Sequence, residues 1–315
     1  MDPAAPPSRA RGLRVDNGVV GDVPVPDLPP EFEVGERGAG SRVRLRAAAE
    51  LVDGVEAFKR GDYLRAERSF RVADEARLGL GSFGVGVICE QRGDVVEAVE
   101  AFERAGALGF ARAYAELGRI VRGQGDEHAA ERMFRRGIAL GDATSALRLA
   151  RMLIARGDYA GAVEPARTAQ RLGQEHGASL VGVALWRAGD TTAAREVLAR
   201  GAADGDGSAA RLLGMLLRST GHASAALKAF ARADELGDAD GAFQYALALS
   251  LHGHLGRAGA ALVRADSLGS ADAAIAVAEA SEQRGDIDAA LAAYQRAAER
   301  GNKLAHAHVD RLRRR

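Results

Sequence analysis

One cysteine, one tryptophan and, beyond residue 40, one proline occur in this chain of 315 residues. The lone thiol, Cys89, excludes a disulfide framework and fits a reducing compartment. Charge of one sign is missing as well: 43 basic residues balance 43 acidic ones, which removes the overall electrostatic pull typical of nucleic-acid binders. Lysine is confined to Lys59, Lys228 and Lys303, and no function is drawn from that bias. No segment approaches the apolar length of a membrane span, and the opening MDPAAPPSRARGLR lacks the apolar core of a signal peptide. The expectation is a cytoplasmic protein with no nucleic-acid partner and no membrane insertion. Aromatics make up only 5% of a chain that is 47% hydrophobic, so its apolar content is chiefly Ala, Leu and Val, suited to closely packed helices.

Against these absences stands a repeat. Glycine recurs at 61, 93, 125, 157, 189, 221, 253 and 285, eight times at intervals of 32 without a slip. Asp follows it at 62, 94, 126, 158, 190 and 286, and His at 222 and 254. Counting each of these glycines as place one, place six is always Ala, from Ala66 to Ala290. Place ten is large (Phe70, Phe102, Phe134, Leu198, Phe230, Leu262, Tyr294) except at Ala166, and place thirteen is Ala or Gly throughout. Places six, ten and thirteen share one helical face. Gly followed by Asp ends one helix in a left-handed residue and caps the next. A second Gly at place seventeen closes the helix in units two to eight, from Gly109 to Gly301. The following helix carries an apolar residue at place 25 and usually Gly or Ala at place 26, as in Leu117-Gly118 and Leu213-Gly214. Each unit is thus a helix hairpin that must stack on its neighbours to bury its apolar face.

The pattern resembles the tetratricopeptide repeat. Its A-x-x-L-G … G-x-x-x-x-A-x-x-x-F-x-x-A is met here by Ala210, Leu213, Gly214, Gly221, Ala226, Phe230 and Ala233, and the likeness covers about residues 45–315. The family repeats at about 34 residues, this chain at 32, with Gly and a cap in place of a Pro-containing linker. RAAERGNKLAH (296–306) is also similar to the related Sel-like repeats. The resemblance implies an all-α, right-handed α-solenoid of about eight antiparallel hairpins, a tetratricopeptide-like superhelix. It also implies protein binding in a concave groove lined by places 20, 23, 27 and 30. Residues 1–40 hold seven of the eight prolines and read as a disordered arm; residues 41–315 read as the solenoid. Leu51, Val55 and Phe58 belong to a leading helix, and Asn302 onward to a terminal capping helix. Pro165, some six residues into a helix and beside the small Ala166, predicts a kink or looser packing, against a harmless proline on an outer face.

Chemistry is scarce. His222 and His254 fall at the capping place, and His306 and His308 point to different sides of a helix, so no metal is expected. Cys89 sits at an apolar place and reads as a core thiol. Gly79-Leu80-Gly81 has no preceding strand and no Lys-Ser/Thr after it, so it is no phosphate loop. The Arg-Gly-Asp triplets are helix ends with caps, and Arg311, Arg313, Arg314 and Arg315 form a solvated helix end. Neither catalysis nor a cofactor is expected. What varies is the stripe at places 23, 27 and 30. It reads Ala115, Arg119 and Arg122; Leu147, Arg151 and Ile154; Ser179, Val183 and Trp186; Arg211, Met215 and Arg218. It then turns apolar at Phe243 and Leu247 and acidic at Asp272, Glu279 and Glu282. Arginines around a tryptophan can grip carboxylates while the ring buries an apolar side chain. The candidate peptide groove is therefore Arg119, Arg122, Leu147, Arg151, Val183, Trp186, Arg211, Met215, Arg218 and Phe243, in an adaptor or scaffold. The alternatives are a self-assembling module, hence a homo-oligomer, and an accessory subunit of an enzyme. At the site itself, a Trp186 packed on its neighbouring hairpin with arginines solvated or paired to Glu116 stays open.

Overall fold

The computed structural model describes residues 39–314, and among them seventeen α-helices follow one another without a strand. Most of the proline-rich arm, up to residue 38, lies outside the described residues. The chain divides into two compact units, Met1–Arg148 and Leu149–Arg315.

In the first unit α1 (Ala39–Lys59) pairs with α2 (Tyr63–Glu75), α3 (Gly79–Arg92) with α4 (Val95–Ala107), and α5 (Ala113–Gly123) with α6 (Glu127–Ala139). Helix α7 (Ala143–Arg156) follows and contains the boundary between the units. Each second helix starts where the sequence places its cap: Asp62, Asp94 and Asp126 accept from the backbone N–H groups of Arg65, Glu97 and Ala129. Burial then follows the repeat. Ala66, Phe70, Ala73, Ala98, Phe102 and Ala105 have no exposed surface, and Leu51, Val55 and Phe58 of α1 are buried against them. The large side chain at place ten lies over the small residue at place 26. A Cβ on Gly86 would stand 2.7 Å from the Phe102 ring, and one on Gly54 2.8 Å from the Phe70 ring. Cys89 is fully buried in this core, and desolvation pushes its thiol up to about 11.

The turn after each second helix needs a left-handed residue. Seven units supply Gly there, from Gly109 to Gly301, with φ between +78° and +107°, but the first uses Arg77 at φ +62°. A non-glycine residue pays a steric cost there. Arg77 is exposed, so Arg77→Gly should stabilise the protein by about 0.5–1 kcal/mol in urea unfolding, after the greater chain entropy of glycine is allowed for. No gain would show that the left-handed turn is unstrained.

In the second unit α8 (Tyr159–Arg171) precedes four hairpins. These are α9 (Gly177–Arg187) with α10 (Thr191–Ala203), α11 (Gly207–Ser219) with α12 (Ala223–Glu235), α13 (Ala239–Leu251) with α14 (Leu255–Ser267), and α15 (Ala271–Gln283) with α16 (Ile287–Glu299). Helix α17 (Lys303–Arg313) packs on α16 through Ala305, Val309 and Leu312. The first helices of successive hairpins touch one another, α9 with α11, α11 with α13 and α13 with α15. That contact lines their exposed faces up into one stripe. Helix α8 runs unbroken through Pro165, with Ala162, Ala166 and Ala169 fully buried. The proline leaves the carbonyl of Gly161 without its helical donor. Gly161 is exposed, so water can take the donor's place.

Candidate interaction surface

The stripe is built by the first helices, α5 and α7 in the first unit and α7, α9, α11, α13 and α15 in the second. In the first unit it is organised by a buried acid. Glu116 is 1% exposed and accepts from Arg119 Nε at 2.8 Å and from Arg148 Nη2 at 2.9 Å. Arg119 also pairs with Glu90, and Arg148 reaches the carbonyl of Ala115 at 3.4 Å. Burial works against the charge of Arg148, and Glu116 offsets part of that penalty. Arg122 is exposed and makes no ion pair among the described residues; Leu147 is half-buried.

In the second unit Arg151 is exposed and likewise makes no ion pair among the described residues. Val183 and Trp186 stand one turn apart on α9, both half-buried. Trp186 rests on a cluster that includes Val181, Leu185, Leu198 and Leu216, so one part of the ring is anchored and the rest faces solvent. Arg211 is held by Asp238 at 3.0 Å. That aspartate also caps α13 through the Gly241 N–H and accepts from Ser208 Oγ at 3.0 Å. Arg218 donates to Gln244 at 2.9 Å and lies over the buried Phe230 ring, 5.5 Å from its centre. Met215 and Phe243 are half-buried. Farther on, Asp272 and Glu279 are exposed, while Glu282 receives Arg311 at 2.7 Å. Of the five arginines singled out in the sequence, three are thus engaged within the array and two, Arg122 and Arg151, are not.

A second feature escaped sequence reasoning. On the second helices, an Asp at place fourteen of one unit accepts from an Arg at place twelve of the next. Asp74 receives Arg104 at 2.9 Å, Asp234 receives Arg264, and Asp266 receives Arg296 at 2.5 Å together with Arg300 at 2.6 Å. A spacing of 30 residues was the available signal, but Gly106, Ile138, Gln170 and Ala202 interrupt the series and mask it. Burial opposes ionisation of Asp266, yet hydrogen bonds from Arg296 and Arg300 outweigh it and hold the carboxyl below its ordinary range. A group depressed in the folded state contributes stability above its unfolded pKa and loses it as pH falls through the folded one. Stability should therefore drop on acidification below about pH 4. Asp266→Asn should cost about 2 kcal/mol at neutral pH and shrink that acid loss in urea titrations at several pH values; an unchanged acid limb would count against it.

No helix of the described residues is long and apolar enough to cross a membrane. The hairpins, their spacing and their stacked first helices define an all-α solenoid of helical repeats. The family model of the tetratricopeptide repeat matches residues 51–112 and 115–176, and the hairpins beyond them repeat the same tetratricopeptide-like pattern. No curated relative matches the sequence. Among solved structures it is similar to a protective antigen of uropathogenic Escherichia coli with an SLR fold, at 20% identity and TM-score 0.55 over 85% of this chain and 64% of that one. It is similar to yeast Tom70 at 15% identity and TM-score 0.55, over 89% of this chain and 65% of the other. A Sel1 repeat protein from Oxalobacter formigenes aligns at 19% identity and TM-score 0.52, over 69% of this chain and 96% of its own. The chain spans just under two thirds of the first two structures, and at these identities the likeness is one of fold.

Proposed function

We propose that the protein is a protein–protein interaction adaptor whose first-helix stripe holds an extended or helical segment of a partner. The observation that carries this is Trp186, anchored on one side by an apolar cluster and open on the other. Val183 lies beside it, and Arg151 is a cation without an internal ion pair. A ring of that kind buries an apolar side chain, and an unpaired guanidinium receives a carboxylate. Arg122 offers the same chemistry in the first unit. Arg119, Arg211 and Arg218 act differently: already engaged, they hold the helices in register and present their remaining N–H donors from fixed positions. A repeat solenoid of this kind is a scaffold built of stacking surfaces, and the stripe offers recognition groups with no assembled set of nucleophile, base and orienting residue.

Trp186 is the only tryptophan, so its fluorescence reports on the surface directly. Peptides of alternating acidic and apolar residues should shift the emission saturably. Arg151→Glu should weaken that binding about tenfold or more while helicity and thermal midpoint stay unchanged. No saturable shift with any such peptide, or equal binding by Arg151→Glu, would overturn the reading.

A further inference from the structure

The second unit carries exposed charged and apolar groups in a definite order along the stripe. Arg218 of α11 is an exposed cation, held in place by Gln244 and the Phe230 ring. One hairpin farther, α13 and the start of α14 expose leucines: Leu247 is 39%, Leu251 83% and Leu255 70% solvent-accessible. Leu247 and Leu251 are one turn apart on α13, and Leu255 opens α14 across the Gly253-His254 turn. At the corresponding turns the neighbouring hairpins carry Ser219 and Ala223 on one side and Gln283 and Ile287 on the other. One hairpin farther again, Glu279 of α15 is exposed and makes neither ion pair nor hydrogen bond among the described residues. Cation, apolar patch and anion thus stand on three successive first helices, with the patch in the middle.

We propose that this surface pairs with the same surface of a second copy of the chain, forming a homodimer about a two-fold axis through the Leu247–Leu251 patch. The charge order carries the proposal. A surface that reads plus, apolar, minus becomes its own complement when turned by 180°: each Arg218 meets the partner's Glu279, and the leucines meet each other on the axis. A two-fold contact requires this reciprocity. A foreign acidic segment would meet Glu279 unfavourably, and a basic one would meet Arg218, whereas a second copy satisfies both. Three helices about 10 Å apart and about 20 Å long offer roughly 600 Å² a side, the low end of specific interfaces. The dimer is accordingly a weak one, with a dissociation constant in the micromolar range.

The dimer does not rest on the peptide reading, which is tested at Arg151 and Trp186, and either can fail without the other. Sedimentation of the full chain from about 1 to 200 µM should show monomer passing into dimer. Leu251→Glu, at a side chain that is largely in solvent, should remain monomeric over that range. Arg218→Glu and Glu279→Arg should each weaken the dimer about tenfold or more, and the two together should restore it, because the exchanged charges again face each other. A wild-type chain that stays monomeric, a Leu251→Glu dimer as tight as wild type, or a double variant no better than the single ones would overturn the proposal.

Discussion

Replacing Glu116 by alanine should destabilise the first unit by about 3–5 kcal/mol, among the largest losses expected of any single polar substitution in the chain. The carboxylate is 1% exposed, and it is the counter-charge of Arg119 and Arg148. Arg148 is itself mostly covered, with 27% of its side chain in solvent, so it cannot simply turn to water when its partner is removed. The buried Nε of Arg112, the residue just before α5 and without a hydrogen-bond partner there, adds to the surplus of positive charge. What is lost is therefore the compensation of a cation more than the energy of a pair. The distinction is measurable. Arg148→Met alone should cost less than Glu116→Ala, and the double variant should recover part of the loss in a urea cycle. A cost for Glu116→Ala below about 1 kcal/mol, as at a solvated surface pair, would show that water reaches the cluster.

Gly118→Val is expected to cost about 3 kcal/mol or more by overpacking. Gly118 lies beneath the Phe134 ring, and a Cβ there would fall inside contact distance of its edge. The ring is 1% exposed and packed on every side, so it cannot swing away. A branched residue must push α5 and α6 apart, and its lower helix propensity than alanine's gives little in return for the lost glycine. The chain itself suggests the compensating change: where place 26 is Ala150, place ten is Ala166, and both are fully buried. The rule is not absolute, since Ala278 coexists with the buried Tyr294. Phe134→Ala in the Gly118→Val background should recover part of the stability. If it recovers none, the clash lies with the backbone and not with the ring.

Pro165 shows how far local rules reach. A proline at that position removes one helical hydrogen bond, yet α8 continues from Tyr159 to Arg171, with three fully buried alanines fastening it on either side of the proline. Packing on neighbours outweighs a single missing hydrogen bond. His222 and His254 make the complementary point. They stand at the capping place and begin α12 and α14, but neither side chain bonds the helix's first amides. The glycine before each of them and the repeat's packing are enough to start those helices.

The sequence by itself determined the period, the helix boundaries and the buried face. These depend on groups within a few residues of one another: a left-handed glycine, an aspartate three residues before an amide, small and large side chains at helical spacing. It also identified which positions are free to differ, because the stripe is where the repeat stops repeating. Only the tertiary structure decided what those positions do. Arg119 and Arg211 are as basic in the sequence as Arg122 and Arg151, yet the acids that engage them, Glu90 and Asp238, are 29 and 27 residues away on an adjacent hairpin. Whether an arginine is held or free depends on where the next hairpin sets its carboxylates. That placement is fixed by how helices stack, a property of side-chain volume summed over a whole interface and not of any local motif.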